Sequence, residues 1–220
     1  MGVWCKDFSE ERMLDNFRRF LETVPFSVTK PGFTHLVVRA VDPSVSPILD
    51  QDLRSVPLDA AGIIDLVQQH LHADSSYEVR CHWDLWVFDS EGRWKNEPQP
   101  MEIISYGEEY QEYDDAVWRQ RGHIEVDFGF EHLFTGHAGL LGIHHNGRAP
   151  AQSPEEARFI EIMAWPENLQ RYQEKTRENI RKLLDWVRKI EKAGPVDRIR
   201  LWSEGEDNFE ARLEDILVAH

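Results

Sequence analysis

Sulfur has little to work with in this chain. There are two cysteines, Cys5 and Cys81, too few for a disulfide framework and at no spacing that metal sites use. They read as buried or idle thiols of a reducing compartment. No apolar run approaches the roughly 20 residues that a membrane-spanning helix requires. The first residues hold no apolar stretch of the length a secretory signal uses, and Lys6 stands where a myristoylation signal has Ser or Thr. The expectation is a cytoplasmic protein without membrane attachment. Basic residues are also in short supply: 25 Lys and Arg face 40 Asp and Glu, a net charge of -15. Such a surface repels nucleic acid and anionic membranes and attracts basic partners. P-loop, GxGxxG, HExxH, GxSxG and CxxC patterns are all missing, so no cofactor is expected.

What is present belongs to a folded protein. Eight Trp, eleven Phe and 41% hydrophobic residues argue against disorder. A 220-residue chain buries roughly 70% of its unfolded surface and needs no metal or disulfide to hold a core. With no repeat and no clear linker, residues 1–220 read as one domain.

The organising stretch runs from Tyr77 to Phe134. Tyr77 to Asp89 and His123 to Phe134 alternate at period two, which marks strands with one buried and one wetter face. A short strand is expected at Met101 to Tyr106, and a short helix around Tyr106, Tyr110, Tyr113 and Val117, which recur at helical spacing. Ahead of these, a helix begins after Ser9, a strand covers Phe33 to Val41, and Asp59 caps a second helix. Ser153-Pro154-Glu155-Glu156 is a helix start, with a strand at 158–164 as the competing reading. A long helix near 167–193 carries a stripe from Leu169 to Ile190 and ends at Gly194-Pro195. Residues 198–203 read as a last strand, and 208–218 as a closing helix. The expected fold is α+β: an antiparallel sheet of about four to six strands with helices packed mainly on one face.

Three groups of side chains are candidate sites. If the two long strands are neighbours, His82 and Asp84 lie near Glu125 and Asp127; a histidine among carboxylates can act as general acid or base, or hold a divalent ion. The plainer reading is a solvated sheet face, but Trp86 and Phe88 share it, and large aromatics flanked by charge anchor partners or line ligand grooves. The second group is an acidic, Tyr-rich segment with Tyr106, Glu109, Tyr110, Glu112 and Tyr113, suited to a basic partner. The third is the set of weak metal candidates His132, His137, His144 and His145 around a glycine-rich loop, whose spacing matches no metal pattern.

The reading taken forward is a non-catalytic binding protein for a basic protein partner. The alternatives are a metal-assisted hydrolase using His82, Asp84, Glu125 and Asp127, and a small-molecule binder with a pocket near Trp86. Residues 167–200 hold ten basic against six acidic side chains, which leaves a homodimer possible through charge complementarity.

Overall fold

A strand that the sequence pattern does not announce lies between two others in the sheet. In the computed structural model, which describes all residues except 43, 90–91, 113–114, 138–139, 143–150, 152 and 220, Gly2–Cys5 forms β1. It is buried at every position, so it shows no alternation to read. The elements that follow are α1 (Glu10–Leu21), β2 (His35–Ala40), β3 (Leu49–Asp52), α2 (Ala60–Gln68), β4 (Ser75–Phe88), β5 (Trp94–Tyr106), β6 (Gln111–Glu112) and β7 (Asp115–Ala116). After them come α3 (Val117–Arg121), β8 (Ile124–Asp127), α4 (His132–Thr135), α5 (Pro154–Met163), α6 (Pro166–Ala193), β9 (Val196–Arg200) and α7 (Phe209–Val218). The fold is α+β. Its main sheet is antiparallel with seven strands in the order β3-β2-β4-β5-β8-β1-β9, at least one more than the sequence pattern predicts.

The chain divides into two compact units. Unit 1 comprises Met1–Asp84, Pro98–Gly129 and Trp186–Arg200; unit 2 comprises Leu85–Glu97, Phe130–Asp185 and Leu201–His220.

In unit 1 the apolar face of the sheet is covered by helix. Met13, Phe17, Phe20 and Leu21 of α1 and Ile63 and Val67 of α2 are buried, as are Leu36, Val79, Cys81, Trp83, Ile103, Ile124 and Val126 of the strands. Trp186 is the largest fully buried side chain. Its ring meets Phe20 at 5.8 Å, Trp83 at 5.5 Å and Phe128 at 5.8 Å, and its indole N–H donates to Thr23 Oγ1 at 2.9 Å, so the polar end of the ring is satisfied. Asp59 caps α2 by accepting the Gly62 N–H at 2.9 Å. Ser9 precedes α1 as expected, yet its side chain makes no capping bond. Gly122 has φ +96, and a Cβ there would fall 2.6 Å from the Val3 nitrogen; only glycine lets α3 turn into β8 against β1.

Three expectations need correcting. β5 is 13 residues long, because Pro98 and Pro100 lie where pairing with β8 has not begun; that ladder covers only Glu102 to Ser105, and proline is tolerated on an unpaired strand side. The Tyr-rich segment forms the β6-β7 ladder, with helix only from Val117. The second long run is strand only to Asp127: Gly129 has φ +75, and His132 to Thr135 is helical.

Unit 2 contains the end of the β4-β5 hairpin, α4, α5, residues 166–185 of α6, and α7. Residues 154–163 are helix, not strand, with Ser153 Oγ accepting the Glu156 N–H at 3.1 Å and Pro154 in the first turn. The stripe of α6 buries Tyr172, Thr176, Ile180 and Leu183. Among the described residues no helix is long and apolar enough to cross a membrane.

Because Trp186 holds three aromatic contacts and a hydrogen bond, Trp186→Ala is expected to cost about 3–5 kcal/mol of stability, read as a lowered urea midpoint with an unchanged slope.

Candidate functional site

The outer face of the sheet in unit 1 is a lattice of paired charges. Arg39 bonds Glu78 at 3.0 Å, and Arg80 bonds Glu102 at 2.7 Å and approaches Glu78 at 3.9 Å. His82 and Asp84 stand on β4, Glu125 and Asp127 on β8, and β5 runs between. Two strand spacings, roughly 9.5 Å, separate the pairs, so the neighbouring strands that a joint site requires are not there. The carboxylates have local roles: Asp84 accepts the Val28 N–H at 2.8 Å, Glu125 accepts the Tyr106 hydroxyl at 2.5 Å, and Asp127 accepts the Gly129 N–H at 2.7 Å. His82 Nδ1 is buried and has no hydrogen-bond partner among the described residues. Burial, with Lys30 adding to it, lowers its pKa.

The Tyr-rich group also divides. Tyr106 is buried, and burial together with Glu125 raises its hydroxyl pKa. Tyr110 is half-buried, its ring 5.3 Å from that of Tyr106. Glu109 is exposed; Tyr113 and the Glu112 side chain lie outside the described residues. So do His144 and His145. Among the described residues no group of three or more His, Cys, Asp or Glu is placed to hold a metal ion.

In unit 2 the rings gather. Trp86 and Phe88 from the end of β4, Trp94 from the start of β5, His132 and Leu133 from α4, His137, and Tyr172 and Thr176 from α6 line a small pocket partly open to solvent. The ring centroids form a chain: Phe88 to Trp94 at 5.2 Å, Trp94 to Tyr172 at 5.5 Å, Tyr172 to Phe159 at 5.3 Å, and Phe159 to His137 at 5.5 Å. His137 stacks on His132 at 4.1 Å. These are the edge and offset separations at which aromatic pairs attract.

Two side chains of α6 set this arrangement. Asn179 is buried; its Oδ1 accepts the Trp86 N–H at 2.8 Å, and its Nδ2 donates to the carbonyls of Trp86 at 3.0 Å and Leu133 at 2.9 Å. One amide thus fastens the end of β4 and the start of α4 to α6. Tyr172 accepts the His137 N–H at 2.8 Å, which fixes the segment after α4. Lys175 Nζ lies 3.8 Å from the centroid of Trp86 and 2.8 Å from Glu178, a cation held between a ring face and a carboxylate.

The pocket walls carry no titrating charge near neutral pH. Burial, then the neighbouring His137, pulls the His132 imidazole down to about 4. Burial also lowers His137, against the opposing pull of Glu156, and raises the Tyr172 phenol. A pocket of rings with neutral polar edges can take a small organic group. No family model, curated protein or solved structure matches the chain.

Of the pocket residues, sequence reasoning singles out Trp86 and Phe88, and His132 and His137 for a different purpose. Trp94, Tyr172 and Asn179 are missed as site residues. Asn179 carries a readable signal, an amide four residues from Lys175 and one from Ile180 on the apolar side of a long helix, where a polar residue needs a partner.

Unit 1 has its own buried histidine: His123 Nδ1 accepts the Cys5 N–H at 2.9 Å, its ring stacks on Phe8 at 3.8 Å, and burial pulls its pKa down to about 4. His123 and His132 are neutral in the folded state and take up a proton near pH 6.5 when unfolded. Below that pH the unfolded chain binds protons that the folded chain refuses, so stability falls as pH drops from about 6.5 to about 4. Urea midpoints measured across that range are expected to decline, with a shallower slope in His123→Gln.

Proposed function

We propose that this chain is a non-catalytic binding protein that holds a small organic molecule in the aromatic pocket of unit 2. One observation carries the reading: six of the eight lining residues are Trp, Phe, Tyr or His rings, contributed by separate segments and held by Asn179 and Tyr172. Ring-lined pockets with a few polar edges are how proteins bind small ligands; the cavity here is only about 30 Å³, room for roughly one or two waters. The expected ligand therefore seats one small group in the cavity, with the rest of it at the open mouth.

A second reading, a basic protein partner, rests on unit 1. Glu108 and Glu109 are exposed, and the Glu108 carboxylate accepts the Glu10 N–H at 3.3 Å, which brings the acidic first turn of α1, Glu10 and Glu11, beside them. With a net charge of -15, this face suits a cationic protein surface and not nucleic acid. Buried thiols at Cys5 and Cys81, pushed up to about 11 and about 12 by burial, suit a reducing compartment, so we place the protein in the cytoplasm.

The pocket reading predicts that ligand-observed NMR with a library of small fragments finds saturable binders, and that Trp94→Ala removes most of them while leaving the urea transition cooperative. Binders that ignore Trp94→Ala would refute it. The second reading predicts association with basic proteins that weakens at least about tenfold as salt rises from about 50 to about 500 mM; association insensitive to salt would refute that one.

A further inference from the structure

We propose that the unit 2 cavity is a built site for one neutral hydroxyl oxygen, supplied by water or by a small alcohol and held between the side chains of Tyr172 and Thr176. It rests on the walls of the cavity, and not on an organic molecule reaching its mouth.

Size sets the first limit. The cavity is about 30 Å³, room for roughly one or two waters. The rings around it already pack on one another, Trp94 on Tyr172 at 5.5 Å and Tyr172 on Phe159 at 5.3 Å, so nothing as large as a ring enters between them.

Hydrogen bonding sets the second limit. Tyr172 and Thr176 lie one turn apart on α6, on the same side of the helix, and both line the cavity. They are only 3% and 2% exposed. The Tyr172 oxygen accepts the His137 N–H at 2.8 Å, which leaves its own O–H without an acceptor among the described residues. Burial raises the phenol pKa, so that proton stays in place. The Thr176 hydroxyl has no hydrogen-bond partner among the described residues. It does not turn back to the carbonyl four residues earlier, as Thr135 does to Glu131 at 3.3 Å. Buried hydroxyls are satisfied in the large majority of cases, by protein or by ordered water, and these two border a space of water's size.

The chemistry of the occupant follows by elimination. A methyl group would leave both hydroxyls without a partner, which is destabilising. An ammonium group has donors only and cannot accept from Tyr172. A carboxylate can accept, but it would be buried without a counter-charge: Glu178 at 2.8 Å already answers Lys175, and burial holds His132 and His137 toward their neutral forms. Such a charge is costly. A hydroxyl oxygen accepts from Tyr172, exchanges a second hydrogen bond with Thr176, and carries no charge. Two to four polar partners are what a buried water needs.

A crystal structure of the full chain tests this, with urea unfolding of two variants beside it. Density is expected for an oxygen within roughly 2.5–3.0 Å of both side-chain hydroxyls. Thr176→Val keeps the shape and removes the hydroxyl; it is expected to lose that density and to lower the urea midpoint by roughly 0.3–1 M, because a made hydrogen bond is lost. Thr176→Ser is expected to keep the density. Crystals soaked in methanol name the source: a methyl carbon appearing on that oxygen assigns an alcohol site, and an unchanged water assigns water alone. A cavity with no oxygen between the two hydroxyls, or a Thr176→Val chain at least as stable as the parent, would overturn the proposal, since removing a buried hydroxyl that has no partner costs no hydrogen bond.

Discussion

The pocket of unit 2 depends most on one amide. Asn179 meets both backbone hydrogen-bonding groups of Trp86 and the carbonyl of Leu133, so a helix side chain does what a neighbouring strand would otherwise do for the end of β4. The three backbone groups would each cost about 1–3 kcal/mol if buried without a partner. That penalty, more than any attraction between rings, holds Trp86, α4 and α6 at the spacing where a ring-lined cavity forms. Unit 1 has its counterpart in Trp186, whose satisfied indole lets a large side chain sit at the centre of an apolar core.

Much of the fold is legible in the sequence because it follows from burial on one face. Alternation marks β4, helical stripes mark α1, α2 and α6, and the Ser153-Pro154 start decides α5 against a strand. The failures share a cause. β1 is four residues buried on both sides, so period two vanishes; β3 is a short edge strand with Asp50, Gln51 and Asp52 exposed; and β5 contains two prolines that look like breakers until its unpaired side is known. In each case the deciding fact is which strand lies alongside, and that is a property of the whole sheet.

The same limit applies to the sites. His82, Asp84, Glu125 and Asp127 share a face, as alternation implies, but strand order puts β5 between the two pairs, and local hydrogen bonds account for the three carboxylates. Trp86 and Phe88 stand out in the sequence because large aromatics fall where charge is expected. Their partners come from positions 94, 132, 137 and 172, which no local spacing connects. His132 and His137 attract notice as metal ligands, yet the fold stacks them on one another beside Phe159, and burial favours their neutral forms.

Unit 1 carries a sheet with an ion-paired outer face, and unit 2 a small cleft lined by aromatic rings. The most direct measurement is the set of indole N–H signals of the eight tryptophans in ¹⁵N-labelled protein, titrated with small fragments taken from the ligand screen. The account predicts that the signals of Trp86 and Trp94 shift together and saturate, while those of Trp83 and Trp186 in unit 1 stay in place. Shifts confined to other tryptophans, or none at ligand excess, would contradict it.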